Sequence, residues 1–293
     1  SPLSWDGVVA AQSGTGAMPR GPLGMTVDAF VKTNVNLADS RNVVGMLRGS
    51  DPALAEQYVV LSAHLDHVGV GRPDQSGDTI YNGAMDNAIG GAPLLPGARK
   101  FEQSGTRPRR SILFLALTAE EKGLLGSSYY AANPTVSATL VANVNMDMPI
   151  MTYPIEDLVV LGGERSSIGP MAEQAAASVG LRVVPDPMPE EMFFVRTDHY
   201  SFVQAGIPSV SIDTGPGGAG EAAIRDFLAH HYHRASDEVT LPFNWESAAR
   251  YTDANYALVR ALADADARPR WNMGDFFGVA FHGYGATAQP AGQ

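Results

Sequence analysis

The chain has 293 residues, of which 20 are Lys or Arg and 31 are Asp or Glu, so its formal net charge is −11. This acidic balance argues against nucleic-acid binding and against docking on anionic lipid, because both need clustered basic side chains. The absence of cysteine excludes disulfides, thiolate nucleophiles and Cys-ligated zinc. No apolar run reaches the roughly 18 residues of a membrane helix, and no signal peptide is recognisable, so we expect no membrane span.

Apolar patterning along the chain predicts a layered α/β domain. Short apolar runs predict strands at 30–37, 42–47, 58–63, 111–117, 140–146, 158–161 and 209–212. Helical spacing of apolar residues predicts helices at 167–179, 199–205 and 245–265. Because strands and helices alternate, we expect a mostly parallel sheet with helices on its faces.

Two further segments carry expectations about packing. Arg107, Arg109 and Arg110 form the one basic cluster of the sequence and precede an apolar strand, so we expect a solvated turn there. The tail from Arg268 is rich in aromatic residues, and we expect it to pack back on the body of the domain.

Charged side chains follow three of the predicted strands where each strand ends. The run that reaches Ala63 continues into His64 and Asp66, the run through Leu117 leads to Glu120-Glu121, and the run through Met146 leads to Asp147. In open α/β sheets, binding sites form outside the carboxyl ends of the strands. Each group alone has an ordinary structural explanation, such as a turn cap or a helix start. Together they predict a site at one edge of the sheet.

Two loops add candidates for the same site. Asp86 lies in a loop rich in Gly and Asn that could point a carboxylate inward, although an ordinary turn would also explain the sequence. Three of the seven histidines lie at 230–233, where a metal ligand is plausible and one or two bystanders are expected. His67, His199 and His282 could equally be structural.

Six sequence blocks, in this order, resemble the co-catalytic zinc exopeptidases that include secreted bacterial aminopeptidases, glutamate carboxypeptidases and glutaminyl cyclases. The blocks are SAHLDHVG at 62–69, YNGAMDNAIGG at 81–91, TAEEKGLLGS at 118–127, NVNMDM at 143–148, RTDHYSFVQAGIP at 196–208 and YHRASDEV at 232–239. The resemblance implies a three-layer α/β/α sandwich around a mixed, mostly parallel β-sheet, with the catalytic domain at 41–293. Residues 1–40 resemble the trailing edge of a protease-associated insert.

The resemblance also implies two zinc ions per chain, with Co²⁺ or Mn²⁺ as possible substitutes. His64 and Asp147 would bind one ion, Glu121 and His233 would bind the other, and Asp86 would bridge them. In relatives the peptide bond after the bridging aspartate is cis, which implies a cis Asp86–Asn87 bond.

Three further residues receive roles from the same resemblance. Glu120 would be the general base for water activated by the two zinc ions, Asp66 would orient His64, and Tyr232 would stabilise the tetrahedral intermediate. The implied enzyme is an aminopeptidase that acts on peptides with a free N-terminus and a hydrophobic first residue. Phe193, with Met192 and Phe194, is a candidate for the wall of its side-chain pocket. The resemblance implies an extracellular or periplasmic location.

One departure and three alternatives stay open at this point. Pro93 and Pro96 interrupt the helix that relatives carry after the Asp86 loop, so we expect a helix that is shorter, kinked or delayed to about Ala98. A glutaminyl cyclase would use one zinc, whereas five candidate ligands favour two. A glutamate-type carboxypeptidase would need a basic pocket, for which Arg196 and Arg225 are the candidates. A non-catalytic binding module is the third alternative.

Overall fold

The protein is described here by a computed structural model that covers residues 4–12, 20–21, 24–35, 37–137 and 139–282. The strands within these residues are Val43–Leu47 (β1), Gln57–His64 (β2), Gly69–Val70 (β3), Ile80–Tyr81 (β4), Ser111–Leu117 (β5), Thr139–Met146 (β6), Asp157–Leu161 (β7), Arg182–Val184 (β8) and Ser209–Thr214 (β9). Seven of them form one sheet in the order β1-β5-β2-β6-β9-β7-β8, and β3 pairs with β4 apart from it.

The pairing within the large sheet is mixed and mostly parallel. The β5–β2, β2–β6, β6–β9 and β7–β8 pairs are parallel, whereas β1–β5 and β7–β9 are antiparallel. Because β2, β5 and β6 are adjacent and parallel, their carboxyl ends lie side by side. This arrangement places the charged groups that follow these strands on one edge of the sheet.

Helices cover both faces of the sheet, which confirms the predicted three-layer sandwich. The helices are Trp5–Gln12 (α1), Ile89–Gly91 (α2), Leu94–Gln103 (α3), Leu125–Ala132 (α4), Ile168–Ser178 (α5), His199–Gln204 (α6), Gly220–His230 (α7), Trp245–Asp264 (α8) and Phe276–Phe281 (α9). One face packs on α3, α5 and α8, with Val59 and Leu61 of β2 in that core. The opposite face packs on α4 and α6, with Val60 of β2 among its buried residues. The two cores take alternate residues of the same strand.

Most predicted strands and helices lie within a few residues of the observed limits, but the strand predicted at 30–37 is wrong. None of the described residues in 30–37 belongs to a strand, and Phe30 and Val31 are exposed. Apolar content alone favoured a strand there, but no sheet partner buries these side chains. The aromatic tail does pack back as expected, since Trp271 is buried and its indole N–H donates to the carbonyl of Gly206.

The basic cluster is also not the solvated turn that we expected. The side chain of Arg110 is buried and donates to the carbonyls of Leu262 and Ala265 at the end of α8. Arg109 pairs with Asp51, at 3.0 Å between Nη2 and Oδ2. These contacts satisfy the donors of Arg110 and pair the charge of Arg109 where β5 begins, and Arg107 is exposed.

The helix after the Asp86 loop is divided into two parts as expected, but the second part begins earlier in the chain than predicted. The chain forms the single turn α2, then Pro93 caps α3, which begins at Leu94 and not near Ala98. Pro96 falls in the first turn of α3, where a missing N–H removes no helical hydrogen bond. The helix therefore accommodates Pro96 without a break.

The chain divides into two units, Ser1–Asp39 and Ser40–Gln293. The first contains α1, and the second contains the sheet and every other helix named above. The assignment of residues 1–40 to the remnant of a protease-associated insert stays a prediction. Every helix among the described residues is too short or too polar to span a lipid bilayer.

Candidate metal centre

The carboxyl ends of β2, β5 and β6 bring three of the predicted groups to one place. β2 ends at His64, β5 ends three residues before Glu120, and Asp147 directly follows β6. A hydrogen bond of 2.8 Å from the Leu65 N–H to the Leu117 carbonyl holds the ends of β2 and β5 together. The strands therefore fix the backbone on which the site is built.

His64, Asp86 and Asp147 form a buried cluster. The Nε2 atom of His64 lies 3.0 Å from Oδ1 of Asp147 and 3.3 Å from Oδ1 of Asp86. Burial alone would lower the pKa of His64, but Asp147 and Asp86 outweigh it and raise that pKa well above its usual range. This cluster holds an excess of negative charge with little access to water.

Asp86 also reaches a second group of ligand atoms. Its other oxygen, Oδ2, lies 3.2 Å from Nε2 of His233, and the same nitrogen lies 3.0 Å from Oε2 of Glu121. Although burial opposes the charged ring, Asp86 and Glu121 raise the pKa of His233 to about 9. Asp86 thus offers one oxygen to each of two neighbouring groups, as a bridging carboxylate does.

His67 belongs to this second group, although its sequence context gave it no role. Its Nδ1 atom lies 2.8 Å from Oε1 of Glu121 and 3.8 Å from Oδ2 of Asp86, and its side chain is only 4% exposed. Its ring also packs edge-on against the ring of His233, with centroids 5.6 Å apart. The one available signal was its position three residues after His64 in the same short loop.

The donor set fits a divalent metal ion. Nitrogen and carboxylate ligands about 2 Å from a tetrahedral ion lie about 3.3 Å from one another, close to the separations around Asp86. Although Nδ1 of His67 and Oε1 of Glu121 lie 2.8 Å apart, the two atoms are not oriented for a hydrogen bond, and Nε2 of His67 is also buried without a hydrogen-bond partner. Among the described residues, the ion pairs of Asp86, Glu121 and Asp147 are all with histidines. Divalent cations would balance these carboxylates when the histidines bind as neutral ligands.

Asp237 and Asn87 hold the Asp86 loop in place, and the sequence analysis had assigned neither of them. The carboxylate of Asp237 accepts the N–H groups of Met85 at 2.7 Å and of Asp86 at 3.0 Å. The side chain of Asn87 donates to the carbonyl of Met146 at the end of β6 and accepts the N–H of Met148. The Asp86–Asn87 bond is cis, as the resemblance implied.

Asp66 has a different contact from the expected one. The Nδ1 atom of His64 lies 3.0 Å from the backbone carbonyl of Asp66 and 3.8 Å from its carboxylate. The carboxylate instead accepts the backbone N–H of Glu120, at 3.2 Å. Asp66 therefore orients His64 through its main chain and fixes the start of the Glu120 segment through its side chain.

Glu120 and Tyr232 line the pocket that opens onto the metal centre. Burial and the nearby charge of Asp147 raise the pKa of Glu120 to about 9. Burial also raises the pKa of the Tyr232 phenol to about 12, and its hydroxyl accepts a hydrogen bond from Arg196 at 3.2 Å. The ring of Tyr232 stacks on that of His233, with centroids 3.9 Å apart.

The other two histidines of the 230–233 cluster lie outside the centre. His230 contacts Asp226 on its own helix, and His231 contacts the Ser236 hydroxyl. Both contacts are on the surface, so these histidines match the bystanders expected in this cluster.

An apolar pocket adjoins the metal centre and shares Met148, Phe193 and Asp213 with it. Of the three residues proposed for a pocket wall, only Phe193 lines it. Met192 is 64% exposed, and the ring of Phe194 packs against His199.

Comparisons with known proteins agree with this architecture. Two curated relatives are a probable leucine aminopeptidase 2 from Aspergillus oryzae and a probable glutamate carboxypeptidase AMP1 from Arabidopsis thaliana. The first is 25% identical over 74% of this chain and 43% of the relative, and the second is 27% identical over 67% of this chain and 27% of the relative. The chain thus spans less than half the length of these relatives.

Solved structures share the fold at low sequence identity. The zinc aminopeptidase BSAP from Bacillus subtilis matches with a TM-score of 0.58 at 24% identity, over 78% of this chain and 51% of that chain. The LapA aminopeptidase from Legionella pneumophila matches with a TM-score of 0.58 at 19% identity, over 77% and 55%.

The family model described as Peptidase family M28 matches residues 42–259. This range contains the whole metal centre, from His64 to His233. Because the match takes in more than half of the chain, the protein belongs to peptidase family M28.

Proposed function

We propose that the protein is a di-zinc aminopeptidase that hydrolyses the N-terminal peptide bond of peptides. The observation that carries this proposal is the position of Asp86, with Oδ1 facing His64 and Oδ2 facing His233. A carboxylate that serves two adjacent ligand groups suits a pair of ions and not one ion. Membership of family M28 and the names of the relatives support the same class of reaction.

The two ions would be held by distinct residues. His64, Asp86 and Asp147 would hold one, and Asp86, Glu121 and His233 the other, with His67 as a further candidate ligand. Zinc suits imidazole and carboxylate ligands, and Co²⁺ or Mn²⁺ can bind the same donor types. When bound, the metal supplies Lewis acidity toward the scissile carbonyl and the attacking water.

Glu120 would carry the proton during hydrolysis. It faces the pocket beside the metal ligands but is not among the closely spaced ligand atoms. With the metal bound, the nearby cations would lower the pKa of Glu120 from about 9, so that its carboxylate would take a proton from the attacking water and then give it to the leaving amine. Asp66, which accepts the Glu120 N–H, keeps this segment in register with the end of β2.

Tyr232 would stabilise the oxyanion that forms on the carbonyl oxygen. A pKa of about 12 keeps its phenol protonated near neutral pH, so that the phenol can donate a hydrogen bond. The contact from Arg196 fixes the hydroxyl at the pocket wall.

The charges around the site favour an aminopeptidase over a carboxypeptidase. A free α-amine is positive and would meet a centre rich in carboxylates, whereas a terminal carboxylate would need a free cation. The two arginine candidates are already engaged: Arg196 contacts Glu191 and Tyr232, and Arg225 pairs with Glu221 on α7.

Two finer features belong to the same proposal. The largely apolar pocket beside the centre supports a hydrophobic first residue. An extracellular or periplasmic location, implied by the family resemblance, is compatible with a chain that has no cysteine.

The direct test combines metal content with hydrolysis of a leucine arylamide by the zinc-loaded protein and its Glu120→Ala variant. We expect two zinc ions per chain in both proteins, with kcat lower by about 10²–10⁴-fold in the variant. Glu102→Ala, at an exposed position of α3, serves as the matched control and should keep full activity.

Three results would overturn parts of the proposal. One zinc per chain would remove the two-ion mechanism, and absence of hydrolysis would remove the aminopeptidase assignment. Loss of metal in Glu120→Ala would show that Glu120 is a ligand and not the base.

A further inference from the structure

His67 lies against the group of ligand atoms formed by Asp86, Glu121 and His233. Its side chain is only 4% exposed, in the short loop that follows β2. Neither of its ring nitrogens has a hydrogen-bond partner among the described residues. A buried polar atom in this state is unfavourable unless a partner from outside the chain reaches it. The position of the ring indicates which partner that is.

Four residues form a closed ring of donor atoms in this group. Nδ1 of His67 lies 2.8 Å from Oε1 of Glu121, and Oε2 of Glu121 lies 3.0 Å from Nε2 of His233. That nitrogen lies 3.2 Å from Oδ2 of Asp86, which in turn lies 3.8 Å from Nδ1 of His67. Donors about 2 Å from one tetrahedral ion lie about 3.3 Å apart. The four separations lie on either side of this value, so one ion would be within reach of all four residues.

The ring of His67 is confined by its neighbours. A Cβ at Gly83 would lie 2.4 Å from Cγ of His67 and 2.2 Å from the carbonyl oxygen of Asp86, so a larger residue would not fit there. On another side, the ring packs edge-on against the ring of His233, with centroids 5.6 Å apart. The ring is therefore held between the Asp86 loop and His233, with Nδ1 toward the carboxylates.

We propose that His67, through Nδ1, is a fourth ligand of the ion that Asp86, Glu121 and His233 would hold. This inference rests on the metal centre of the proposed function and deepens it, because it makes the two ions unequal. The group around His64 offers one imidazole and the carboxylates of Asp86 and Asp147. The group with His67 offers two imidazoles and two carboxylates.

The additional imidazole has two consequences. Imidazole nitrogen suits zinc, whereas carboxylate oxygen suits manganese and magnesium, so His67 favours zinc at its own site. Catalytic zinc has three protein ligands and takes four or five ligands in all. Four protein ligands then leave at most one open position on the ion beside His67. The ion beside His64 and Asp147 keeps more open positions for a substrate atom.

The first test counts the imidazole nitrogens that bind metal, and it needs no hydrolysis. We would load the ¹⁵N-histidine-labelled protein with ¹¹³Cd and measure scalar coupling between cadmium and the ring nitrogens by NMR. We expect one cadmium resonance coupled to two imidazoles, Nδ1 of His67 and Nε2 of His233. The His67→Asn variant, which assigns the signal, should lose the first coupling.

The second test separates a ligand from a residue that only orients Glu121. His67→Asn keeps a donor N–H near the position of Nδ1 but replaces the imidazole with a poor zinc ligand. We expect it to weaken the binding of one zinc ion by at least about 10²-fold, because loss of an outer hydrogen-bond partner alone costs about 10–100-fold. Competition with a chromophoric chelator measures this affinity. His230→Asn, at an exposed position of α7, is the matched control and should leave it unchanged.

The outcomes distinguish this inference from the proposed activity. Coupling of His67 to cadmium supports the inference even if no arylamide is hydrolysed. A cadmium resonance coupled to His233 and not to His67 overturns it, as does a His67→Asn protein that keeps the zinc affinity of the intact chain. Weaker zinc binding in His67→Asn without coupling in the intact protein would make His67 a positioning residue for Glu121, which also overturns the inference.

Discussion

The buried charged groups at the two ends of strands β2 and β5 have different kinds of partners. Where these strands begin, the Arg110 side chain is 1% exposed and donates to the Gln57 side chain at 2.9 Å and to the carbonyls of Leu262 and Ala265. Where they end, the charged groups are carboxylates whose ion pairs, among the described residues, are with histidine rings, as for Asp86.

This difference distinguishes a charged group that stabilises the fold from charged groups that bind a ligand. A buried charge that serves the fold is hydrogen-bonded within the chain, as the Arg110 guanidinium is to amide and carbonyl oxygens. At the other end, His67 and Glu121 have buried atoms without hydrogen bonds. An excess of charge of one sign, at the edge where α/β sheets bind ligands, indicates that the missing partners come from outside the chain.

The largest expected effect is that of Asp86→Asn, which removes the charge of the proposed bridging ligand and keeps the side-chain shape. We expect bound zinc to fall from two ions to one or fewer, and kcat for an arylamide to fall by at least about 10²-fold. In the presence of a chelator, we expect little change in the free energy of unfolding, because the lost pairing with His64 and His233 is offset by weaker repulsion of Asp147 and Glu121.

Metal analysis and urea unfolding with EDTA measure these two effects on the same sample. Asp226→Asn, which changes an exposed carboxylate, should alter neither quantity. An Asp86→Asn protein that retains two zinc ions would contradict the bridging role.

At the beginning of strands β2 and β5, we expect a substitution to change the free energy of unfolding and not metal binding. Arg110→Met should lower the free energy of unfolding by about 2–4 kcal/mol, because the carbonyls of Leu262 and Ala265 lose their buried donor. Zinc content and kcat should not change, since the substitution lies at the far ends of the strands. Urea unfolding measures the first effect, and metal analysis with an arylamide assay measures the second.

Arg107→Met, at an exposed neighbouring position, is the control and should change stability by less than about 0.5 kcal/mol. Equal effects of the two substitutions would mean that Arg110 acts only as a surface cation.

The sequence predicted the strands well because buried parallel strands are continuous apolar runs, as in Ser111–Leu117. It also indicated the edge of the sheet to which the charged groups belong. It did not indicate the partners of a charge, because those come from distant segments. Arg110 therefore looked like a surface residue, and Asp237, which is 151 residues from Asp86, had no visible role. Similarly, 30–37 has the apolar content of a strand, but pattern alone does not reveal whether a sheet partner exists.

The smallest expected effect on stability is that of a substitution in α3, which begins earlier than the sequence predicted. Pro96→Ala should change the free energy of unfolding by about 1 kcal/mol or less, mainly through the freedom of the unfolded chain, because Pro96 lies in the first turn of α3. Zinc content should stay unchanged.

Gly90→Ala, six residues earlier, should instead lose zinc, because its new Cβ would overlap the Asn87 side-chain oxygen that accepts the Met148 N–H. Urea unfolding and metal analysis of the two variants decide whether the Asp86 loop depends on α3 or on Asn87. Zinc loss in Pro96→Ala would assign that support to the helix, and zinc loss confined to Gly90→Ala would assign it to the contact between Asn87 and the end of β6.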